Sequence, residues 1–299
     1  MSEASVEVSP NVPYLSQAIL MTQKKVQTMS DLMPQSTSNC GLKPNQLISV
    51  DCLSQPPYPL DDPGQSKQLE FFKKATGIED SEELKAHIIR VREKAYKIFP
   101  YPCIWVFDFL NGNLANHFFY PQVRELAQKQ PDKNILYVDL GSFLGIDSRQ
   151  VIHDGWDSAD VLAVDIIAGE FLLLNELILL GIKHWQQLGY ELFRDAHKPI
   201  PFFLGNILEE KVLDSQPLPI SSSKKIDLSS IKDLNGLKSK ATFVSTSNLF
   251  HLFNAEDQRE LAKRCFLLLD EQRGSTIFGV HIAGEKERFS VGPTRSARF

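Results

Sequence analysis

The chain has 299 residues, 42% hydrophobic and 23% charged, enough to bury one substantial core with a small appended segment. A net charge of −5 and a pI near 5.8 provide no global basic field to draw nucleic acid or an anionic membrane, so a small molecule is the expected partner. The four cysteines, Cys40, Cys52, Cys103 and Cys265, form no Cys-x-x-Cys pair and have no His-rich spacing beside them, which argues against a metal site and a disulfide framework.

Residues 1–66 are rich in Ser, Pro, Gln and Asn without a sustained period, and are expected to be mostly a disordered tail with short ordered pieces. No basic region followed by an apolar run opens the chain, so a cytoplasmic location is expected. A helical cap over 67–130 comes next. Asp80 can cap its plainest helix, with Glu83 completing a capping box. Leu84, Ile88, Val91, Ala95 and Ile98 then form one apolar stripe, which Pro100 and Pro102 end. Over 131–299 short apolar runs alternate with helical stretches. The expected strands are Ile135–Asp139, Val161–Asp165, Phe202–Leu204, Thr242–Ser245 and Thr276–His281. Helices near Ser148–Asp154, Lys183–Arg194 and Ala255–Asp270 lie between them, and Asp214–Lys240 reads as a loop. Parallel strands need crossovers, so the expected fold is α/β, a doubly wound, mostly parallel Rossmann-like sheet. The apolar stretch from Phe171 to Ile182, broken by Asn175 and Glu176, is too short to cross a bilayer.

The first strand runs into Asp139-Leu-Gly-Ser-Phe-Leu-Gly145 and then a helix. Gly141 allows a tight turn and close approach to a ligand, and the helix start offers free N–H groups at the strand's carboxyl end. Asp139 can face a cationic group, Asp165 can accept ribose hydroxyls, and Asn206 with Ile207 can meet adenine. Each has a plain alternative: helix caps for the two acids, a turn for Asn206. Phe143 stands where a nicotinamide-binding Gly-x-Gly-x-x-Gly turn requires glycine, which favours S-adenosylmethionine as the cofactor. The donor site expected from these residues comprises Asp139, Gly141, Ser142, Gly145, Asp165, Asn206 and Ile207.

The chain resembles fungal S-adenosylmethionine-dependent methyltransferases of meroterpenoid and related secondary-metabolite pathways. The runs that carry the resemblance are Thr76-Gly-Ile-Glu-Asp80, Phe99-Pro-Tyr-Pro-Cys-Ile104, the glycine turn, Leu188-Gly-Tyr-Glu-Leu-Phe-Arg-Asp195 and Phe250-His-Leu-Phe253. The resemblance implies O-methylation of a small hydrophobic acceptor, a carboxylate or a hydroxyl. It also implies Ile166 as a further residue of the donor site, and an acid where Asn206 stands. Two departures from the family pattern follow. Roughly fifteen residues near 167–182 are additional, on the scale of one helix. A lid helix and a translated intron are the alternatives there. The chain also lacks room for the last two strands after the fifth. A catalytically impaired binding or interaction protein, from a truncated or mis-spliced gene model, is therefore the competing reading.

For the acceptor, His251 after the fourth strand is the candidate base, with a buried structural histidine as the alternative reading. Asn248, Tyr101, Trp105 and Phe107 are the candidate pocket residues; ordinary core is the alternative for the aromatic three. The oligomeric state is left open, a homodimer included.

Overall fold

The computed structural model describes residues 55–98, 101–129, 135–166, 184–216, 226–271 and 274–281. The additional stretch at 167–182 and residues 282–299 lie outside these. Among the described residues no helix is long and apolar enough to cross a membrane.

The cap begins earlier than residue 67. Tyr58 and Leu60, in the segment read as tail, are buried with the cap helices. Helix α1 is Ser66–Thr76, closed by Gly77 in a left-handed conformation. Helix α2 is Ser81–Ile98. Asp80 caps it, its Oδ1 accepting the Glu83 N–H at 2.8 Å. The expected stripe is the buried face: Leu84, Ile88, Val91 and Ala95 are fully enclosed. Arg92 is enclosed with them, which the apolar pattern does not announce. Its guanidinium lies 4.1 Å from the ring centre of Trp105 and 4.4 Å from that of Phe107. It also donates to the Trp105 carbonyl and to Gln55 Oε1. The charge is thus held by π faces and acceptors instead of water. A short helix α3, Pro102–Trp105, completes the cap, whereas helix α4, Tyr120–Lys129, expected to belong to it, packs on the sheet through Tyr120, Val123 and Ala127 beside Tyr137, Trp156 and Phe243.

Five parallel strands follow: β1 Tyr137–Leu140, β2 Val161–Asp165, β3 Phe202–Leu204, β4 Phe243–Ser245 and β5 Thr276–Phe278. Their order is β3-β2-β1-β4-β5, with every neighbouring pair parallel. This is the expected Rossmann-like α/β sheet. Three strands have shifted or shortened bounds. At the start of β1, Leu136 is used as an acceptor for the Thr242 and Phe243 N–H groups instead of lying in the strand ladder. At the end of β5, Gly279 passes so close to Thr246 that a Cβ would strike its backbone. The connecting helices are α5 Ile146–His153, α6 His184–Phe193 and α7 Ala255–Leu268.

The chain builds outward from β1 to β3 and then returns to place β4 on the other side of β1. That reversal falls at the carboxyl ends of β1 and β4, the position at which open α/β sheets bind ligands. The cap sits beside it, because α1 and α2 share one core with Leu144, Ile146, Trp185, Leu188, Leu192 and Phe193. His87 Nε2 fixes this contact with a hydrogen bond to the Leu192 carbonyl at 2.9 Å.

Leu84→Ala is expected to cost about 2–5 kcal/mol by leaving a void under the cap. Asp80→Ala, which removes only the cap of α2, is expected to cost about 1 kcal/mol. Urea midpoints of the two variants, compared at equal slope, check both magnitudes.

Candidate functional site

The turn between β1 and α5 has three left-handed residues, Gly141 at φ +75°, Phe143 at +52° and Gly145 at +69°. Phe143 is the strained one, since a side chain is disfavoured there. Two features hold it. Its ring packs edge-on against Trp185 at 4.7 Å and near Phe109 at 6.0 Å, and its N–H donates to the Asp165 carboxylate. The Gly141 and Ser142 N–H groups both donate to the Val164 carbonyl, at 2.9 and 3.1 Å. The tips of β1 and β2 are therefore one unit.

Asp139 does not look out of this turn. It is 2% exposed, and its two oxygens accept hydroxyl hydrogens from Ser148 at 2.8 Å and Ser245 at 3.0 Å. Register explains this: Asp139 pairs with Ser245 across β1 and β4. Its charge lies beneath the turn. Burial pushes its carboxyl above the usual range, with the two serines opposing. Asp147, in the first turn of α5, is raised by burial and then by the Asp139 charge, with Asp108 adding in the same direction. Asp165 is pushed up to about 7 by burial, against the N–H groups of Phe143 and Ile166. Asp108 accepts from the amides of Asn111 at 3.0 Å and Asn248 at 2.8 Å. Four carboxylates thus gather at this end of the sheet, and the hydrogen-bond partners described for them are neutral.

Among the described residues the buried Ser142 hydroxyl has no hydrogen-bond partner. Gly141 is covered rather than open: a Cβ built there would lie 3.0 Å from Leu249 Cδ1. Gly145 likewise faces the chain itself, with Arg149 Nη1 2.6 Å from such a Cβ. At the β3 tip, Asn206 forms the turn that was its alternative reading, Oδ1 accepting the Leu208 N–H at 3.0 Å. Ile207 is buried and packs inward, within the core between sheet and α7. Ile166 is half-buried beside Asp165.

On the acceptor side, Asn248 has φ +53° and joins the β4 tip to the cap through Asp108. His251 follows on the 3-10 turn Phe250–Leu252. Burial lowers its pKa, with Asp108 pulling the other way, and its Nδ1 has no partner among the described residues. His281 is pushed down to about 4 by burial and then by His251. Tyr101 is half-buried, and its hydroxyl is pushed up to about 12 by burial first and then by the charges of Cys103 and Asp165, which places it near the β2 tip. Trp105 and Phe107 are corrected: both are 1% exposed and wrap Arg92 in the cap, so neither ring is free to line a pocket.

Sequence reading missed Asp108, Asp147, Leu249 and Arg149. Only Arg149 left a usable signal, standing four residues after Gly145 with Asp195 closing one of the family runs.

Residues 58–110 match the family model of the meroterpenoid methyltransferase N-terminal domain. An O-methyltransferase of Stereocaulon alpinum is 30% identical over 202 residues, 68% of this chain and 48% of that protein. The asnovolin E/chermesin D methyltransferase of Aspergillus novofumigatus is 30% identical over 204 residues, 68% of this chain and 60% of its own. An O-methyltransferase of a further fungal species is 30% identical over 224 residues, 74% and 61%. The chain thus spans between 48% and 61% of the length of these relatives. With the cap matching that N-terminal domain and the sheet aligning beyond it, the chain is similar to the fungal methyltransferases of meroterpenoid and related secondary metabolism that its motifs resemble.

Proposed function

We propose that the chain is an S-adenosylmethionine-dependent methyltransferase acting on an oxygen of a small hydrophobic natural product. The observation that carries this is the set of Asp108, Asp139, Asp147 and Asp165, one buried and three half-buried, for which every described hydrogen-bond partner is a hydroxyl, a side-chain amide or a backbone N–H. Buried charge of one sign is costly unless countered. A ligand bearing an ammonium and a sulfonium supplies the missing sign. The similarity to fungal methyltransferases supports the same reading.

When bound, S-adenosylmethionine supplies an electrophilic methyl on a positively charged sulfur. In this reading Asp165, oriented by the Phe143 and Ile166 N–H groups, accepts the ribose hydroxyl hydrogens. Ser142 and the start of α5 donate to the donor's carboxylate. Asp139 and Asp147 contribute negative potential from below. Asn206, with its oxygen fixed by the turn, offers its amide N–H₂ to adenine, and Ile207 secures that turn from within. Leu249 is the group that must withdraw from Gly141 to admit a ligand. His251, kept neutral by burial, can take a proton from a hydroxyl acceptor, and Asp108 favours the resulting cation. A carboxylate acceptor needs no base. A second reading, an interaction protein whose donor site stays closed, is favoured by Leu249 lying on the glycine turn; donor calorimetry separates the two, and a labelled-methyl assay against terpenoid and polyketide acids and phenols then reads turnover.

Calorimetry with S-adenosylmethionine and its demethylated product is expected to show saturable binding, and folded protein that binds neither would falsify the assignment. Asp165→Asn is expected to weaken donor binding roughly tenfold or more through loss of a charged acceptor.

The pH dependence follows from Asp165. Its folded pKa of about 7 lies above the ordinary 3.8, so its contribution to stability is full below 3.8 and is lost as pH rises through about 7. A cationic ligand prefers the ionised form. Donor affinity is therefore expected to rise from about pH 5.5 to about pH 8, and the rise should shrink in Asp165→Asn. Titration calorimetry across that range checks the sign.

If the acceptor is a hydroxyl, His251→Ala is expected to lower kcat by roughly 100-fold or more with little change in donor affinity. For a carboxylate acceptor kcat should stay near the parent value.

A further inference from the structure

The turn beneath the proposed donor site is held from behind by one side chain. Arg149, on α5, is 6% exposed, and all three of its guanidinium nitrogens donate. Nη1 reaches the carbonyls of Leu144 at 2.8 Å and Gly145 at 3.1 Å, the last two of the turn. Nε and Nη2 grip the two oxygens of Asp195 at 2.6 and 3.0 Å. The face of the group lies 4.5 Å from the ring centre of Phe193 and 5.5 Å from that of Tyr190. Gly189 in α6 completes the fit, since a Cβ there would come within 2.5 Å of the Leu144 carbonyl oxygen.

A buried ion pair adds little net stability, because desolvation offsets the attraction. Its value lies in geometry: a planar fork specifies angles that a lysine ammonium does not. Here the fork fixes the carbonyls at the exit of a turn containing a left-handed phenylalanine, and so the direction in which the first N–H groups of α5 point.

We propose that Arg149, seated by Asp195 and Gly189, is a positioning residue for the methyl donor: it sets the glycine turn against α6 without touching the ligand. This rests on the donor-site reading above.

The test compares the full chain with Arg149→Lys, Asp195→Asn and Gly189→Ala. Calorimetry reads S-adenosylmethionine affinity, steady-state assays read acceptor KM, and circular dichroism reads folding. Folded variants are expected to lose donor affinity roughly tenfold to a hundredfold while acceptor KM stays at the parent value. Gly189→Ala perturbs the turn without changing charge, so it reads the same device if Arg149→Lys does not fold. Donor affinity within roughly twofold of the parent in folded variants overturns the proposal. So does a parallel loss of donor affinity and acceptor KM, or failure of all three variants to fold, since either marks a general structural prop. If the parent itself binds no donor, the donor-site reading falls and this proposal with it; a binding parent with unchanged variants removes this proposal alone.

Discussion

The carboxyl edge of the sheet depends on a short loop that cannot hold its own shape. Phe143 at φ +52° is disfavoured in isolation, unlike Gly141 and Gly145 on either side, which adopt the left-handed region freely. The loop keeps its path because its N–H groups are tied to the β2 tip, at Val164 and Asp165, and its carbonyls to Arg149. Remove either set and the backbone has cheaper conformations available. The run from Leu188 to Asp195 acquires a physical meaning from this: Gly189, Tyr190, Phe193 and Asp195 all touch Arg149 or the turn it grips.

Electrostatics sets the second constraint. Carboxylates gathered at one end of a sheet raise one another's proton affinity on top of the effect of burial, and hydroxyl or amide donors relieve this only partly. Such an arrangement destabilises the unliganded protein at neutral pH, and a positively charged ligand relieves it. The same charges disfavour an anion at this end of the sheet.

Much of the architecture was legible in the residues. The period of α2, the cap at Asp80 and the apolar runs of β2 and β3 are local signals, and local hydrogen bonding confirms them. Glycine spacing marked the turn. What sequence could not show was direction. Whether Asp139 faces out or down is decided by register with Ser245, a residue 106 positions away. Arg92 reads as a solvated helix residue until Trp105 and Phe107 close around it. Asn206 and Ile207 were placed at the correct strand tip, but their side chains secure a turn and a core there. The strand ends blurred because pairing depends on neighbours, as with Leu136, which accepts from the start of β4 instead of lying in its own strand.

The bond between Asn248 and Asp108 has a consequence for how such proteins diversify. It is a side-chain link across the seam between cap and sheet, flanked by Leu249, which lies on Gly141, and by Phe109, which packs near Phe143. A change at either residue therefore moves cap and sheet edge together, so across this seam the two can drift in sequence only in step.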